Sequence, residues 1–174
     1  MGIRTYLEFI PRIDPLCYVD RTAEIIGNVS AASGSSFWPY SVVRGDVQAI
    51  TIGKNVNIQD HSMLHVTHDS KYNPGGHSLS IGDDVTIGHH VTLHGCTINN
   101  ACLIGIGSIV LDNAVLEQHI YLAAGSLVPP NKVLSSGYLY LGNPVRQHRL
   151  LNDDEIEFIY YSAKKYTELA NSYK

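Results

Sequence analysis

The chain has 174 residues, of which 44% are hydrophobic and 16% are charged, and its formal net charge is −4. This length and composition fit one globular domain with a substantial core. The net negative charge argues against a general nucleic-acid surface. No run of about 18 apolar residues occurs, so we expect no membrane span. Charges interrupt the N-terminal segment, which therefore does not resemble a secretory signal.

The three cysteines, Cys17, Cys96 and Cys102, do not form the even, regularly spaced set of a disulfide-rich domain. We interpret them as small buried side chains. Free thiols are typical of a reducing compartment, so we expect a cytoplasmic protein.

Residues 1–12 form an irregular lead-in, after which an aliphatic or similar apolar residue recurs at every sixth position. A period of six fits neither the 3.6 of a helix nor the alternation of a long strand. It is typical of a coil of short strands in which each hexapeptide is one side of a triangle. The sequence therefore predicts an all-β solenoid, a parallel β-helix, over residues 13–130. The repeating positions are Ile13, Val19, Ile25, Ala31, Phe37, Val43, Ile52, Ile58, Leu64, Ile81, Ile87, Leu93, Ile98, Ile104, Val110, Leu116, Leu122 and Val128.

Five glycines stand near the expected corners of this coil, where turn geometry can require a positive φ. They are Gly27, Gly53, Gly82, Gly88 and Gly105.

The repeat is interrupted between Val43 and Ile52, between Leu64 and Ile81, and between Leu93 and Ile98. The longest interruption contains Gly, Pro and polar residues, which predicts a loop insertion at about 69–79. Such a loop is either a tolerated surface insertion or a lid beside a site. We favour the lid because histidines flank the segment.

After Val128 the period stops at Pro129 and Pro130, so we expect residues 131–174 to form a connector and a C-terminal helix. Asn152 and Glu155 have capping-box spacing, and apolar residues then recur at helical spacing over about 153–170. We expect this helix to cover a bare side of the coil or to pack on a neighbouring subunit.

Nine histidines is a high number for this length. Counting sides of the triangle places Leu64 and Leu93 one coil apart. His65 and His94 should then stack about 4.8 Å apart along the coil axis. Arg44 falls in the same column, whereas His89 lies on the preceding side and points elsewhere.

A cyclic trimer would bring the His89 of one subunit to the His65 and His94 of another. Three imidazoles and an open position are the pattern of a catalytic zinc site. For the other candidates a surface or hydrogen-bonded histidine is the simpler interpretation; these are His61, His77, His90, His119 and His148.

Three motifs resemble γ-class carbonic anhydrases and their bacterial carbonic-anhydrase-like relatives: VVRGD (42–46), NIQDHSMLH (57–65) and IGHHVTLHGC (87–96). The likeness covers the whole chain, including the C-terminal helix. It implies a left-handed β-helix and a homotrimer with metal at each subunit interface. It also implies the ligands His65, His89 and His94.

The activity implied by this resemblance is reversible hydration of carbon dioxide to bicarbonate through a metal-bound hydroxide. The implied metal is Zn²⁺, although three imidazoles also suit Fe²⁺ or Co²⁺. In this family pattern Gln59 orients the metal-bound water and Asn57 helps to position the substrate.

The resemblance gives further residues two possible roles each. Arg44 and Asp46 bridge subunits and hold bicarbonate or the interface, or they form a structural ion pair. Asp60 is expected to support the interface rather than to touch the substrate. Tyr161 could reach the site from the terminal helix, or it simply packs there.

The sequence departs from the best-studied branch, in which glutamates near the metal shuttle protons. Val47 follows the R-G-D motif here, and no glutamate follows His65 in the loop. His68 could relay protons instead, or it is an ordinary loop histidine. Two alternatives therefore stay open: a non-catalytic metal-binding hexapeptide scaffold, and a hexapeptide acyltransferase that uses an acyl-CoA or acyl-carrier cofactor.

Overall fold

A computed structural model describes residues 2–174, most of which wind into one parallel coil followed by a helix. The elements are β1 (Gly2–Arg4), β2 (Arg12–Ile13), β3 (Tyr18–Val19), β4 (Glu24–Ala31), β5 (Ser36–Phe37), β6 (Val42–Ile52), β7 (Asn57–Ile58), β8 (Met63–His65), β9 (Leu79–Ile81), β10 (Thr86–Ile87), β11 (Thr92–His94), β12 (Thr97–Ile98), β13 (Leu103–Ile104), β14 (Ile109–Val110), β15 (Val115–Leu116), β16 (Tyr121–Leu122), β17 (Leu127–Val128), β18 (Val133–Leu134), β19 (Tyr138–Leu141), β20 (Arg146–Leu150) and α1 (Asp153–Ser172).

The predicted β-helix is confirmed, because residues one coil apart pair in parallel and stack into three inward columns. Most of these side chains are buried and form one hydrophobic cluster along the coil axis. The first column is Ile13, Ala31, Ile52, Ile81, Ile98, Leu116 and Leu134. The second is Val19, Phe37, Ile58, Ile87, Ile104, Leu122 and Tyr140. The third is Ile25, Val43, Leu64, Leu93, Val110 and Val128.

The first interruption of the repeat is absorbed by a long strand. β6 pairs with β8 through Val43 and Leu64, and with β9 through Ile52 and Ile81, so it passes from the third face to the first. The segment with Arg44 pairs with β4 along the same strand. The R-G-D motif is therefore held by backbone pairing.

The predicted insertion leaves the coil as a short hairpin. Thr67 and His77 exchange both backbone hydrogen bonds at its base, at 3.0 and 2.9 Å. The Gln48 side chain donates to the Gly75 carbonyl at 2.9 Å, and the Gly75 N–H donates to Asp69 at 2.8 Å. These contacts tie both the base and the tip of the insertion.

The expectation that corner glycines supply positive φ is wrong for all but one of them. Of the five, only Gly27 has a positive φ, of 79°. The left-handed corner positions are held partly by other glycines and partly by larger residues. The glycines are Gly34, Gly107, Gly125 and Gly137, and the larger residues are Tyr40, Asn55, His61, Asp84, His90, Ala101, Asn113, His119 and Asn131. The other four of the five predicted corner glycines lie where the backbones of neighbouring coils come too close for a side chain. A Cβ on Gly105, for example, would lie 2.5 Å from the Ala124 nitrogen.

One corner, between the second and third faces, carries a ring stack. Tyr40 lies over His61 with centroids 5.1 Å apart, and His61 lies over His90 at 5.0 Å with nearly parallel planes. A left-handed backbone costs about 1–2 kcal/mol at a non-glycine residue. Stacking between consecutive coils offsets part of that cost.

The coil does not end at Pro129 and Pro130. The prediction that a connector begins at residue 131 is therefore wrong. β18 pairs with β15 and β19 pairs with β16, which adds Leu134 and Tyr140 to the columns. The six-residue spacing continues from Val128 to both. The prolines are tolerated because they lie between β17 and β18, outside the strand ladders.

The terminal helix spans Asp153–Ser172 and packs along the second face of its own coil. The predicted capping box is confirmed: Asn152 accepts from the Glu155 N–H at 2.8 Å, and Glu155 accepts from the Asn152 N–H at 3.0 Å. The helix buries Ile159, and Tyr166 packs edge-on to the buried Trp38. Within residues 2–174 no helix has the length and apolar character needed to cross a membrane.

We predict that Gly105→Ala lowers the free energy of unfolding by about 3 kcal/mol, because its Cβ would overlap the backbone of the next coil. Gly107→Ala is the matched control. Its φ is +68°, but no atom lies within 4 Å of the added Cβ, so we expect a cost of about 1 kcal/mol. Urea denaturation measures both, and equal losses would contradict the close-approach explanation.

Candidate metal centre

His65 and His94 lie side by side on the third face, as the spacing predicted. They end β8 and β11 and pair directly across one coil. Their rings are 5.1 Å apart between centroids and tilted by 60°, and His65 Nδ1 lies 3.1 Å from His94 Nε2. Arg44 follows Val43, which pairs with Leu64, so the expected column of three is present.

A carboxylate holds the other nitrogen of each ring. Asp46 Oδ1 lies 3.0 Å from His65 Nε2, and Asp112 Oδ1 lies 2.7 Å from His94 Nδ1. An ionised carboxylate only accepts hydrogen bonds, so these nitrogens carry the ring hydrogens. In neutral rings the two remaining nitrogens then have bare lone pairs, and these are the atoms that face each other.

Two lone pairs at 3.1 Å need a shared cation between them, either a proton that makes an N–H···N hydrogen bond or a metal ion. Nitrogen ligands bind zinc at 2.0–2.1 Å, so two of them at a tetrahedral angle are about 3.3 Å apart. The separation of the facing nitrogens is close to that value. Carboxylates on the far nitrogens are also what metal-bound histidines usually have. His65 and His94 therefore fit as two ligands of a zinc-like ion.

Electrostatics favours the neutral, ligating form of His65. Burial lowers the pKa of His65, and the positive charge of Arg44 adds to this against the opposing pull of Asp46. Burial alone would raise the pKa of Asp46, but hydrogen bonds from His65 and Arg44 outweigh it and lower that pKa. Asp46 is therefore a carboxylate at neutral pH beside a neutral imidazole.

His89 lies apart from this pair. It follows β10 on the second face, and its Nδ1 lies 3.0 Å from Asp60 Oδ2, which leaves Nε2 free. Among residues 2–174 no three His, Cys, Asp or Glu side chains gather as a metal-binding group. One protomer thus presents two histidines on one face and a single histidine elsewhere, which is the arrangement that the side count predicted.

Asn57 and Gln59 form a buried polar chain next to Asp60. Gln59 Nε2 donates to Asn57 Oδ1 at 3.0 Å, and Asn57 Nδ2 donates to Thr86 Oγ1 at 2.9 Å. Thr86 in turn lies 3.1 Å from the Ser162 hydroxyl on α1. These bonds fix the Gln59 amide, whose NH₂ group faces Asn57 and whose carbonyl oxygen takes no part in the chain.

The two remaining candidates are on the surface of the protomer. His68 is exposed where the hairpin leaves the coil. Tyr161 is 56% exposed and stacks on Phe158 with centroids 6.2 Å apart. Within one protomer it is Ser162, the neighbour of Tyr161, through which the helix reaches the polar chain.

Sequence reasoning missed Asp112, Thr67 and Ser162. Thr67 Oγ1 donates to the carboxylate of Asp112, whose two oxygens lie 3.0 and 2.9 Å away. Leu93 pairs with Val110 in the next coil, so Asp112 lies one residue beyond the position in register with His94, and the same side count places it near that histidine. Ser162 gave no comparable signal, because its position depends on how the helix docks.

Comparison with known proteins gives the same family as the motifs. The chain is 51% identical to protein YrdA of Escherichia coli K12 over 171 residues, 98% of this chain and 93% of that protein. It is 39% identical to a carbonic anhydrase of Geobacillus kaustophilus over 94% of this chain and 86% of that one. It is 44% identical to mitochondrial γ carbonic anhydrase 1 of Arabidopsis thaliana, covering 94% of this chain and 59% of the plant protein. No protein-family model matches the sequence.

A solved structure of a hexapeptide transferase family protein from Anaplasma phagocytophilum superposes with a TM-score of 0.90 at 36% identity, covering 99% of this chain and 98% of that one. The fold is thus the left-handed β-helix of hexapeptide-repeat proteins. Within that class, the chain belongs to the γ-carbonic-anhydrase-like family.

We predict that the metal-free protein loses stability as pH falls below about 6.5, because the unfolded chain takes up a proton at His65 there while the folded site resists it. Because the pKa of His65 is lowered in the folded state, the contribution of His65 to the free energy of unfolding is fully present above that pH and is progressively lost below it. Urea denaturation between about pH 4.5 and 7.5 should show a smaller slope for His65→Gln. The exposed His148→Gln is the control, and equal slopes would contradict the prediction.

Proposed function

We propose that the protein catalyses reversible hydration of carbon dioxide at a metal centre shared between the subunits of a homotrimer. His65 and His94 of one protomer and His89 of the next would hold the ion. The observation that carries this proposal is the pair of acceptor nitrogens 3.1 Å apart, each fixed by a carboxylate on its far side. Family membership supports carbon dioxide as the substrate.

When bound, zinc supplies a Lewis acid that brings the pKa of water to about 7. The proposed metal is Zn²⁺, and Fe²⁺ or Co²⁺ would suit the same three imidazoles. The net reaction adds water to carbon dioxide and releases bicarbonate and a proton.

The other candidate residues would bind and orient in this reaction. Gln59, held by Asn57, offers its carbonyl oxygen as an acceptor for a water hydrogen, so that an oxygen lone pair is turned to the substrate. Arg44 carries a positive charge next to the centre, where it can hold the bicarbonate anion, and its bond to Asp46 keeps it there.

The released proton needs a carrier to solvent. His68 is exposed at the foot of the hairpin and has the side-chain type that exchanges protons near neutral pH, so we propose it as the relay. Tyr161 is exposed on α1 and is proposed to face the centre of a neighbouring subunit.

We place this activity in the cytoplasm. The free thiols of Cys17, Cys96 and Cys102 suit a reducing compartment, where thiols are not driven into disulfides.

Stopped-flow measurement of carbon dioxide hydration tests the proposal directly. Protein loaded with zinc should accelerate hydration, a chelator should abolish the acceleration, and added zinc should restore it. Protein that binds zinc with no rate above the metal-free control would instead be a metal-binding scaffold.

A second candidate function is acyl transfer, which the transferase-family structural neighbour favours. An acyltransferase would bind a CoA thioester, so acetyl-CoA should raise the melting temperature in a saturable way. We expect no such shift, because His65 and His94, each held by a carboxylate, fit the ligands of a metal ion.

Mixing experiments test the shared centre. His65→Ala and His89→Ala should each be inactive alone. Random exchange of subunits should restore about a quarter of wild-type hydration, because every mixed trimer then contains one interface with all three ligands. A mixture of His65→Ala with His94→Ala is the matched control and should stay inactive, since both lesions fall on the same half of the site. No recovery in the first mixture, with exchange verified by mass spectrometry, would show that one chain builds the whole centre.

A further inference from the structure

We propose that Thr67 and Asp112 are positioning residues that set the metal affinity of the centre by holding His94 in one tautomer. The inference rests on the proposed metal centre and gives a role to the hairpin from which Thr67 projects. Neither residue belongs to the motifs that carry the family resemblance.

The hydrogen-bond donors around Asp112 permit one arrangement. The Thr67 hydroxyl has a single hydrogen, and its two short contacts both go to the Asp112 oxygens, at 2.9 and 3.0 Å. Asp112 as a carboxylate has no hydrogen to give. The 2.7 Å contact between Asp112 and His94 is therefore donated by His94 Nδ1–H. A neutral His94 then has its lone pair on Nε2, the atom that faces His65.

The two halves of the pair are built alike. His65 is held by Asp46, which also accepts from Arg44, and His94 is held by Asp112, which also accepts from Thr67. In each case the carboxylate accepts one hydrogen bond from the imidazole and another from a second donor, which orients the carboxylate. A carboxylate that is already held in place loses less conformational entropy when the ion binds. It also raises the basicity of the histidine that it contacts.

Thr67 is placed by the base of the hairpin. Its backbone exchanges two hydrogen bonds with His77, and the residue as a whole is 9% exposed. The tip of the hairpin is tied separately, through Gln48 and Gly75. The geometry points to a hairpin that supports the His94 side of the centre, in contrast to the lid that the sequence suggested.

Zinc affinity, measured by competition with a chromophoric chelator, tests the inference on the full-length protein. Asp112→Asn should raise the zinc dissociation constant about 10- to 100-fold, because the neutral amide is a weaker acceptor and permits either tautomer. Thr67→Val keeps the shape of the side chain, removes the hydroxyl, and should raise the constant about three- to tenfold.

Two controls match these changes. Asp84→Asn removes a carboxylate at a corner whose positive φ of 57° asparagine tolerates. Thr97→Val makes the same isosteric change on β12. Both should bind zinc within about twofold of the wild type. Unchanged zinc affinity in Asp112→Asn, or equal losses in the controls, would overturn the proposal.

A second readout needs no metal. Nitrogen-15 NMR of histidine-labelled, metal-free protein reports which ring nitrogen carries the hydrogen. We expect His94 in the Nδ1–H form in the wild type and a mixture of forms in Asp112→Asn. A wild-type His94 in the Nε2–H form would refute the inference. Zinc-loaded wild type without hydration activity would refute the proposed function alone and leave these results standing.

Discussion

The pairing of each coil with the next, in strict register, is the constraint on which the rest of this molecule depends. It puts Leu64 beneath Leu93 in the core, and by the same step it puts His65 beside His94 on the outside. A slip of one residue would turn both rings inward and replace aliphatic side chains with imidazoles. The buried columns therefore set the geometry of the candidate metal centre, and their apolar burial holds that geometry in place.

Second to the register come the carboxylates. The distance between two histidines does not by itself say which nitrogen is available. Asp46 and Asp112 determine it, because each accepts a hydrogen bond from one ring nitrogen of its histidine and leaves the other ring nitrogen facing the second histidine. Two acceptors brought face to face can share a cation, and the carboxylates behind them are the partners that metal-bound histidines usually have, so this pair suits metal binding. The single His89, with Asp60 behind it, has the same construction on another face.

Much of the fold could be predicted from the sequence because its core repeats. Each repeating aliphatic residue marks one side of the coil. Counting these residues along the sequence therefore predicted the parallel β-helix, the stacking of His65 on His94 and the separate position of His89. The errors came where local chemistry was ambiguous. Pro129 and Pro130 suggested an end of the coil, but at a corner they break no ladder. Corner glycines suggested positive φ, whereas Gly105 is small because another coil's backbone lies against it.

The sequence by itself determined the period, the inward columns, the capped terminal helix and the family, since these depend on residue type and spacing along the chain. Only the tertiary structure decided which groups hold the histidines and the Gln59 polar chain. Asp112 comes from the following coil, Thr67 from the base of a hairpin, and Ser162 from a helix docked on another face. Hydrogen bonds are directional over about 3 Å, so such partners depend on side-chain positions that spacing alone does not resolve.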